Sequence, residues 1–246
     1  MLWQGEGRGY YDELWPWTFI QVRLEWGHMI HSSDLASYID HTNLKPDATS
    51  RDIELLCEEA IKYGFHSVCI NPCWVPFSVE ALKNSSVRVC TVIGFPLGCN
   101  LSSTKITEAQ ECFNLGSDEF DMVINVGALK EARWGFVFEE VSQVVKAVKG
   151  RCVKVILETC LLTKEEIIMA CSICERAGAH FIKTSTGLSK EGATIGTVTL
   201  IRESVSQSMG IKASGGVRDR DVAAAMIEAG ATRIGTSSGI LITSTP

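Results

Sequence analysis

The chain has 246 residues, 46% of them hydrophobic, and a formal net charge of −6. This length accommodates one substantial core or two modest domains. Mild acidity without a lysine or arginine run argues against nucleic acid or an anionic membrane as main partner, and no apolar run is long enough to cross a bilayer.

Residues 1–32 differ from the rest of the chain. They carry four of the six tryptophans without a clear period, and Glu and Arg interrupt each apolar stretch, unlike a secretory signal. The "GHM" at positions 27–29 resembles a cloning scar. Residues 1–32 are read as a leader or N-terminal extension, the scar-like triplet pointing to a vector as one source, and residues 33–246 as a single domain.

From Ser33 onward a helix-period segment, a glycine and a short apolar strand recur in that order. The predicted strands are "SYIDHT", "FHSVCI", "VRVCTVI", "EFDMVI", "CVKVIL", "AHFIK", "GIKAS" and "ATRIG". Gly64, Gly116, Gly150, Gly178, Gly210 and Gly230 stand at the junctions, where a helix end favours left-handed backbone. Thr163 followed by Glu166 has the spacing of a capping box. Short strands apolar on both faces and separated by helices predict parallel βαβ units. Eight such units in about 213 residues predict one (β/α)8 TIM barrel of the α/β class. A doubly wound open sheet is the alternative, but the G-x-G-x-x-G fingerprint that usually accompanies it is missing from the sequence.

Ten cysteines lie mostly inside apolar segments, which suits reduced core thiols in a cytoplasmic protein. The one C-x-x-C, Cys171 and Cys174, falls on a helical pattern with no second pair of ligands, so no metal site is expected.

Charged residues interrupt the predicted strands: Asp40, Asp121, Lys154, Lys183 and Lys212. Pointing outward they would meet the helix layer, where an unpaired charge is costly, so an inward polar cluster is expected. A lysine is a poor nucleophile while protonated, and desolvation or a neighbouring cation eases loss of its proton. Lys183 with Lys154 or Lys212 nearby fits that need, and Asp121 is a candidate proton carrier. A structural salt-bridge network is the competing reading. The loops "TSTG", "SGGVR" and "GTSSG" bring Gly187, Gly215, Gly216, Ser237 and Ser238 to the strand ends, a composition suited to binding phosphate through backbone N–H groups.

The stretches "YIDHTNLKPDAT", "VCINP", "VIGFPLG", "EFDMVINVGALK", "KVILET", "FIKTSTG", "KASGGVR" and "RIGTSSG" resemble, in order, the class I deoxyribose-phosphate aldolase family. The resemblance implies reversible cleavage of 2-deoxy-D-ribose 5-phosphate to D-glyceraldehyde 3-phosphate and acetaldehyde, without metal or organic cofactor. It implies that Lys183 forms the Schiff base, with Asp121 and Lys212 as the proton relay. Lys154 and Asp40 fall where the family keeps further charged residues. Gly187, Gly215, Gly216, Ser237 and Ser238 fall on phosphate-contacting positions, and Leu188 stands where some members carry a phosphate-holding lysine. A homodimer is compatible with this reading. Another phosphosugar-processing or phosphosugar-binding barrel is the alternative. Cys69 is expected to pack as a small hydrophobe, and His41 to sit on the outer face of its strand.

Overall fold

The computed structural model describes residues 35–244, so the leader lies outside the described residues. Eight parallel strands close on themselves in sequence order: β1 (Ile39–Asn43), β2 (Ser67–Ile70), β3 (Arg88–Ile93), β4 (Glu119–Val123), β5 (Cys152–Ile156), β6 (Phe181–Lys183), β7 (Gly210–Ser214) and β8 (Arg233–Thr236). Closure is made by the pairing of β1 with β8, with Asp40 opposite Gly235. The expected (β/α)8 barrel is the fold observed.

Local chemistry explains where the helices begin and end. Thr49 and Thr163 each open a helix with a reciprocal capping box, to Asp52 and Glu166 respectively. Each box satisfies otherwise orphaned N–H groups of the first turn. Gly64 closes the helix Ser50–Tyr63 at φ 69°, a backbone region that penalises side chains bearing a Cβ.

Gly210 departs from the expected pattern. The preceding helix ends at Ser204, and Gly210 opens β7 instead of capping a helix. Its requirement is steric, since a Cβ there would lie 2.4 Å from the Phe181 ring. Residues 36–38 also differ, forming a 3-10 turn where the strand was expected to start.

The main hydrophobic cluster lies between strands and helices, with Val68, Phe120, Met122, Val153, Val155, Ile182, Ile211 and Ile234 all buried there. These alternate with the residues that face the barrel axis. His41 belongs to the outer set, its ring 4.9 Å from Phe65 and its Nε2 2.7 Å from Glu59. The two-sided burial of each strand frees its inward positions for a different purpose.

Candidate active site

Strand register alone brings the inward charges together. Asp121 pairs with Lys154 across β4 and β5, and Lys183 pairs with Lys212 across β6 and β7. Asp121 is the hub. Its Oδ1 accepts from Lys154 Nζ at 2.8 Å, while Oδ2 accepts from Lys183 Nζ at 2.8 Å and from Lys212 Nζ at 2.7 Å. Asp40 reaches the same group, 2.5 Å from Lys212 and 3.6 Å from Lys154. All five charged residues expected to face the barrel axis are therefore in one cluster.

A lower tier completes it. Glu119 Oε2 lies 2.6 Å from Lys154 Nζ and 3.0 Å from Arg233, and Arg233 lies 2.9 Å from Asp40. Inside the barrel, Lys154, Lys183, Lys212 and Arg233 face Asp40, Glu119 and Asp121, four cations against three carboxylates. Desolvating isolated charges costs several kcal/mol each, and only this mutual pairing makes such an interior tolerable.

The electrostatics follow from burial opposed by charge. Burial pushes the Asp121 carboxyl up, but Lys154, Lys183 and Lys212 outweigh it and hold the group well below the usual carboxylate range. Asp40 is held low in the same way, burial being overcome by Lys212, Lys154 and Arg233. Burial alone would lower Lys154 and Lys212, yet Asp121 first, together with Asp40, raises both above the ordinary lysine value. Both carboxylates thus favour the ammonium forms of Lys154 and Lys212. Lys183 differs in geometry: it contacts only one of the three carboxylates and retains 3% side-chain exposure where the other two lysines have none.

Gly235 explains how Lys212 fits. A Cβ at that position would lie 2.8 Å from Lys212 Cε, so a side chain on β8 would displace the ammonium. Cys69 and Cys90 fill the remaining wall, 4.0 Å and 3.2 Å from the Asp121 oxygens. A hydrogen bond with Cys90 lowers the Cys69 thiol to about 7 despite its burial. Cys69 is buried as expected, in the wall of the site beside Cys90 and Val92. By contrast, burial pushes the Cys171 thiol up to about 12 and Cys174 well above its usual value, which makes the C-x-x-C pair poor at ligation or redox chemistry.

The late loops meet at the same mouth. Thr184 Oγ1 donates to Ser214 O, Ser214 Oγ donates to Ser185 O, and Thr236 Oγ1 donates to Val217 O, tying the β6, β7 and β8 loops together. Gly187, Gly215 and Gly216 all have φ near 84°. A Cβ at Gly215 would lie 2.8 Å from Gly192 Cα, so the loops approach to backbone contact. Among the described residues, no hydrogen bond engages the N–H of Gly187, Gly215 or Gly216. Ser237 and Ser238 are exposed and half-buried, respectively. Ser238 has its N–H occupied by Thr236 Oγ1 at 2.9 Å, leaving its hydroxyl as the available donor.

With its barrel and charged interior, the chain can be set beside known proteins. Residues 35–244 match the model of the DeoC/LacD family aldolases. The chain belongs to the DeoC/LacD aldolase family. A deoxyribose-phosphate aldolase of Mannheimia succiniciproducens is 53% identical over 213 residues, covering 87% of this chain and 95% of the relative. Another, from Caldanaerobacter subterraneus subsp. tengcongensis, is 53% identical over 212 residues, covering 85% and 92%. The tetrameric deoxyribose phosphate aldolase of Aeropyrum pernix superposes with a TM-score of 0.80 at 37% identity, covering 87% and 91% of the two chains. The reaction class of this aldolase is carbon–carbon lyase chemistry.

Sequence reasoning missed Glu119, Arg233 and Cys90 in this aldolase's interior. Their signal was present in the alternation, since Glu119 lies two residues before Asp121 on one strand and Arg233 pairs with Lys212 in register.

Proposed function

We propose that the chain is a class I aldolase that reversibly cleaves 2-deoxy-D-ribose 5-phosphate into D-glyceraldehyde 3-phosphate and acetaldehyde through a Schiff base on Lys183. The observation that carries this reading is the Lys183–Asp121 contact: the one partly exposed ammonium of the cluster ends its strand 2.8 Å from a carboxylate.

The Lys183 amine, once it has given up a proton, adds to C1 of the open-chain sugar, and loss of water leaves an iminium ion. Removal of the C3 hydroxyl proton breaks the C2–C3 bond, whose electrons enter an enamine, and glyceraldehyde 3-phosphate departs. Protonation at C2 and hydrolysis then release acetaldehyde and restore the lysine. Asp121, with Lys212 on the same oxygen, is placed to pass these protons. The imine is itself the electron sink, so the chemistry asks for no metal or organic cofactor. Lys154 and Asp40 hold the hub in place, and the N–H groups of Gly187, Gly215 and Gly216, with Ser237 and Ser238, grip the phosphate. Leu188 adds no charge to that grip, which therefore rests on backbone N–H groups and serine hydroxyls.

Ten unpaired cysteines fit a reducing, cytoplasmic setting. Self-association fits a family whose Aeropyrum pernix member is tetrameric, and we take a homodimer as the smallest such assembly.

Steady-state turnover tests the reading. The wild-type protein is expected to release acetaldehyde from 2-deoxyribose 5-phosphate. Gly216→Val, which places a branched side chain at φ 83°, is expected to raise KM for this substrate about 10-fold or more while changing that for free deoxyribose far less. Absence of wild-type cleavage defeats the proposal, and equal effects on both sugars remove the phosphate role of the loop.

A further inference from the structure

Glu119 lies at the N-terminal start of β4, below Asp121 and away from the mouth where substrate enters. It is fully buried, yet four basic side chains reach it. Oε2 takes Lys154 at 2.6 Å and Arg233 at 3.0 Å, while Oε1 faces His66 at 3.0 Å and Arg88 at 3.4 Å. These partners come from β5, β8, the segment before β2, and β3. Asp40, Asp121, Cys90 and Cys152 are the other titratable groups around it, the two cysteines as its register neighbours. No step of the chemistry uses Glu119 directly.

Its connection to the chemistry runs through Lys154. That ammonium is held between Glu119 at 2.6 Å and Asp121 at 2.8 Å. Asp121 is already fully engaged, with Cys90 and Lys154 on Oδ1 and Lys183 and Lys212 on Oδ2. Without the lower carboxylate, Lys154 keeps Asp40 and Asp121 as its carboxylate partners and Cys90 Sγ at 3.2 Å, and its demand on Asp121 rises. The interior imbalance also grows by one charge, from four cations against three carboxylates to four against two.

We infer that Glu119 is a positioning residue of the aldolase reaction: it anchors Lys154 and Arg233 from the floor of the barrel, so that Asp121 stays available to Lys183 and Lys212. The inference rests on the Lys183 reading. Its signature is electrostatic as well as geometric. Removing a negative charge beside ammonium groups destabilises their protonated forms, so the proton lost by the cluster before attack leaves at lower pH. The acid limb of kcat/KM, which reports free-enzyme groups, moves down accordingly.

The test compares Glu119→Gln and Glu119→Asp with the wild-type protein in kcat, KM and the pH profile of kcat/KM. Folding is checked by circular dichroism and thermal melting. Glu119→Gln is expected to lose about 10- to 100-fold in kcat with KM changed less than about 3-fold, and to shift the acid limb down by about one pH unit. Glu119→Asp keeps the charge at shorter reach, so its limb stays at the wild-type position while kcat falls about 3- to 10-fold. A folded Gln variant with unchanged kcat, or with lower kcat and an unmoved limb, overturns the inference. Should the Gln variant not fold, a folded Asp variant with wild-type kcat, or with a displaced limb, overturns it equally. Trapping of wild-type Lys183 with acetaldehyde and borohydride is run alongside, so failure of the Schiff-base reading is seen separately.

Discussion

Lys183 differs from its two lysine neighbours in having a single carboxylate contact and a small opening to solvent. The expectation drawn from the sequence was that a second cation beside it would free its amine. The structure places a shared carboxylate among the three ammonium groups, so each cation meets Asp121 before it meets another cation. Because positive charge exceeds negative by one inside the barrel, removing the Lys183 charge leaves the interior balanced. Lys183→Leu is therefore expected to keep its melting temperature within a few degrees while cleavage falls below about 1% of wild type, since covalent catalysis is worth orders of magnitude. Activity measured in the purified variant checks this, and substantial residual turnover transfers the nucleophile to another group. Asp40, Asp121, Lys154, Lys183 and Lys212 were readable as a cluster because each interrupts an apolar strand with a charge. Glu119 and Arg233 open their strands, where a charge passes for an ordinary solvent-facing terminus, and only the register reveals that they point inward.

At the scale of elements, the glycine after a helix and the threonine before one were reliable marks. Gly64, Gly116, Gly150, Gly178 and Gly230 all take positive φ, as a helix end calls for. Gly210 shows the limit of that rule. Its need for a missing side chain comes from Phe181 on the adjacent strand, a contact made by tertiary packing and not written in the local pattern. Gly235 is similar: its neighbour Lys212 is more than twenty residues earlier in the chain. The hydroxyl bonds that tie the β6, β7 and β8 loops were likewise hidden, although the Ser, Thr and Gly content of those loops was not.

The whole molecule encloses a charged interior within an apolar shell, which makes its stability depend on pH. Asp40, Glu119 and Asp121 all ionise below their ordinary range when folded, their burial being outweighed by neighbouring cations. In the unfolded chain they titrate near pH 4. A depressed folded value gives stability that is complete above the unfolded value and is lost as pH falls through the folded one. Thermal melting is therefore expected to hold steady from about pH 7 to 5 and to decline below about pH 4, and a midpoint unchanged between pH 5 and 3 contradicts the buried carboxylate cluster. The raised Lys154 and Lys212 values are the same ion pairs seen from the cation side and add no second contribution in acid. The catalytic claim itself is tested most directly by intact-mass and peptide analysis after incubation with acetaldehyde and borohydride. One added ethyl group, mapped to Lys183 and lost in Lys183→Leu, is the predicted result; an unmodified protein, or an adduct on Lys154 or Lys212, contradicts the account.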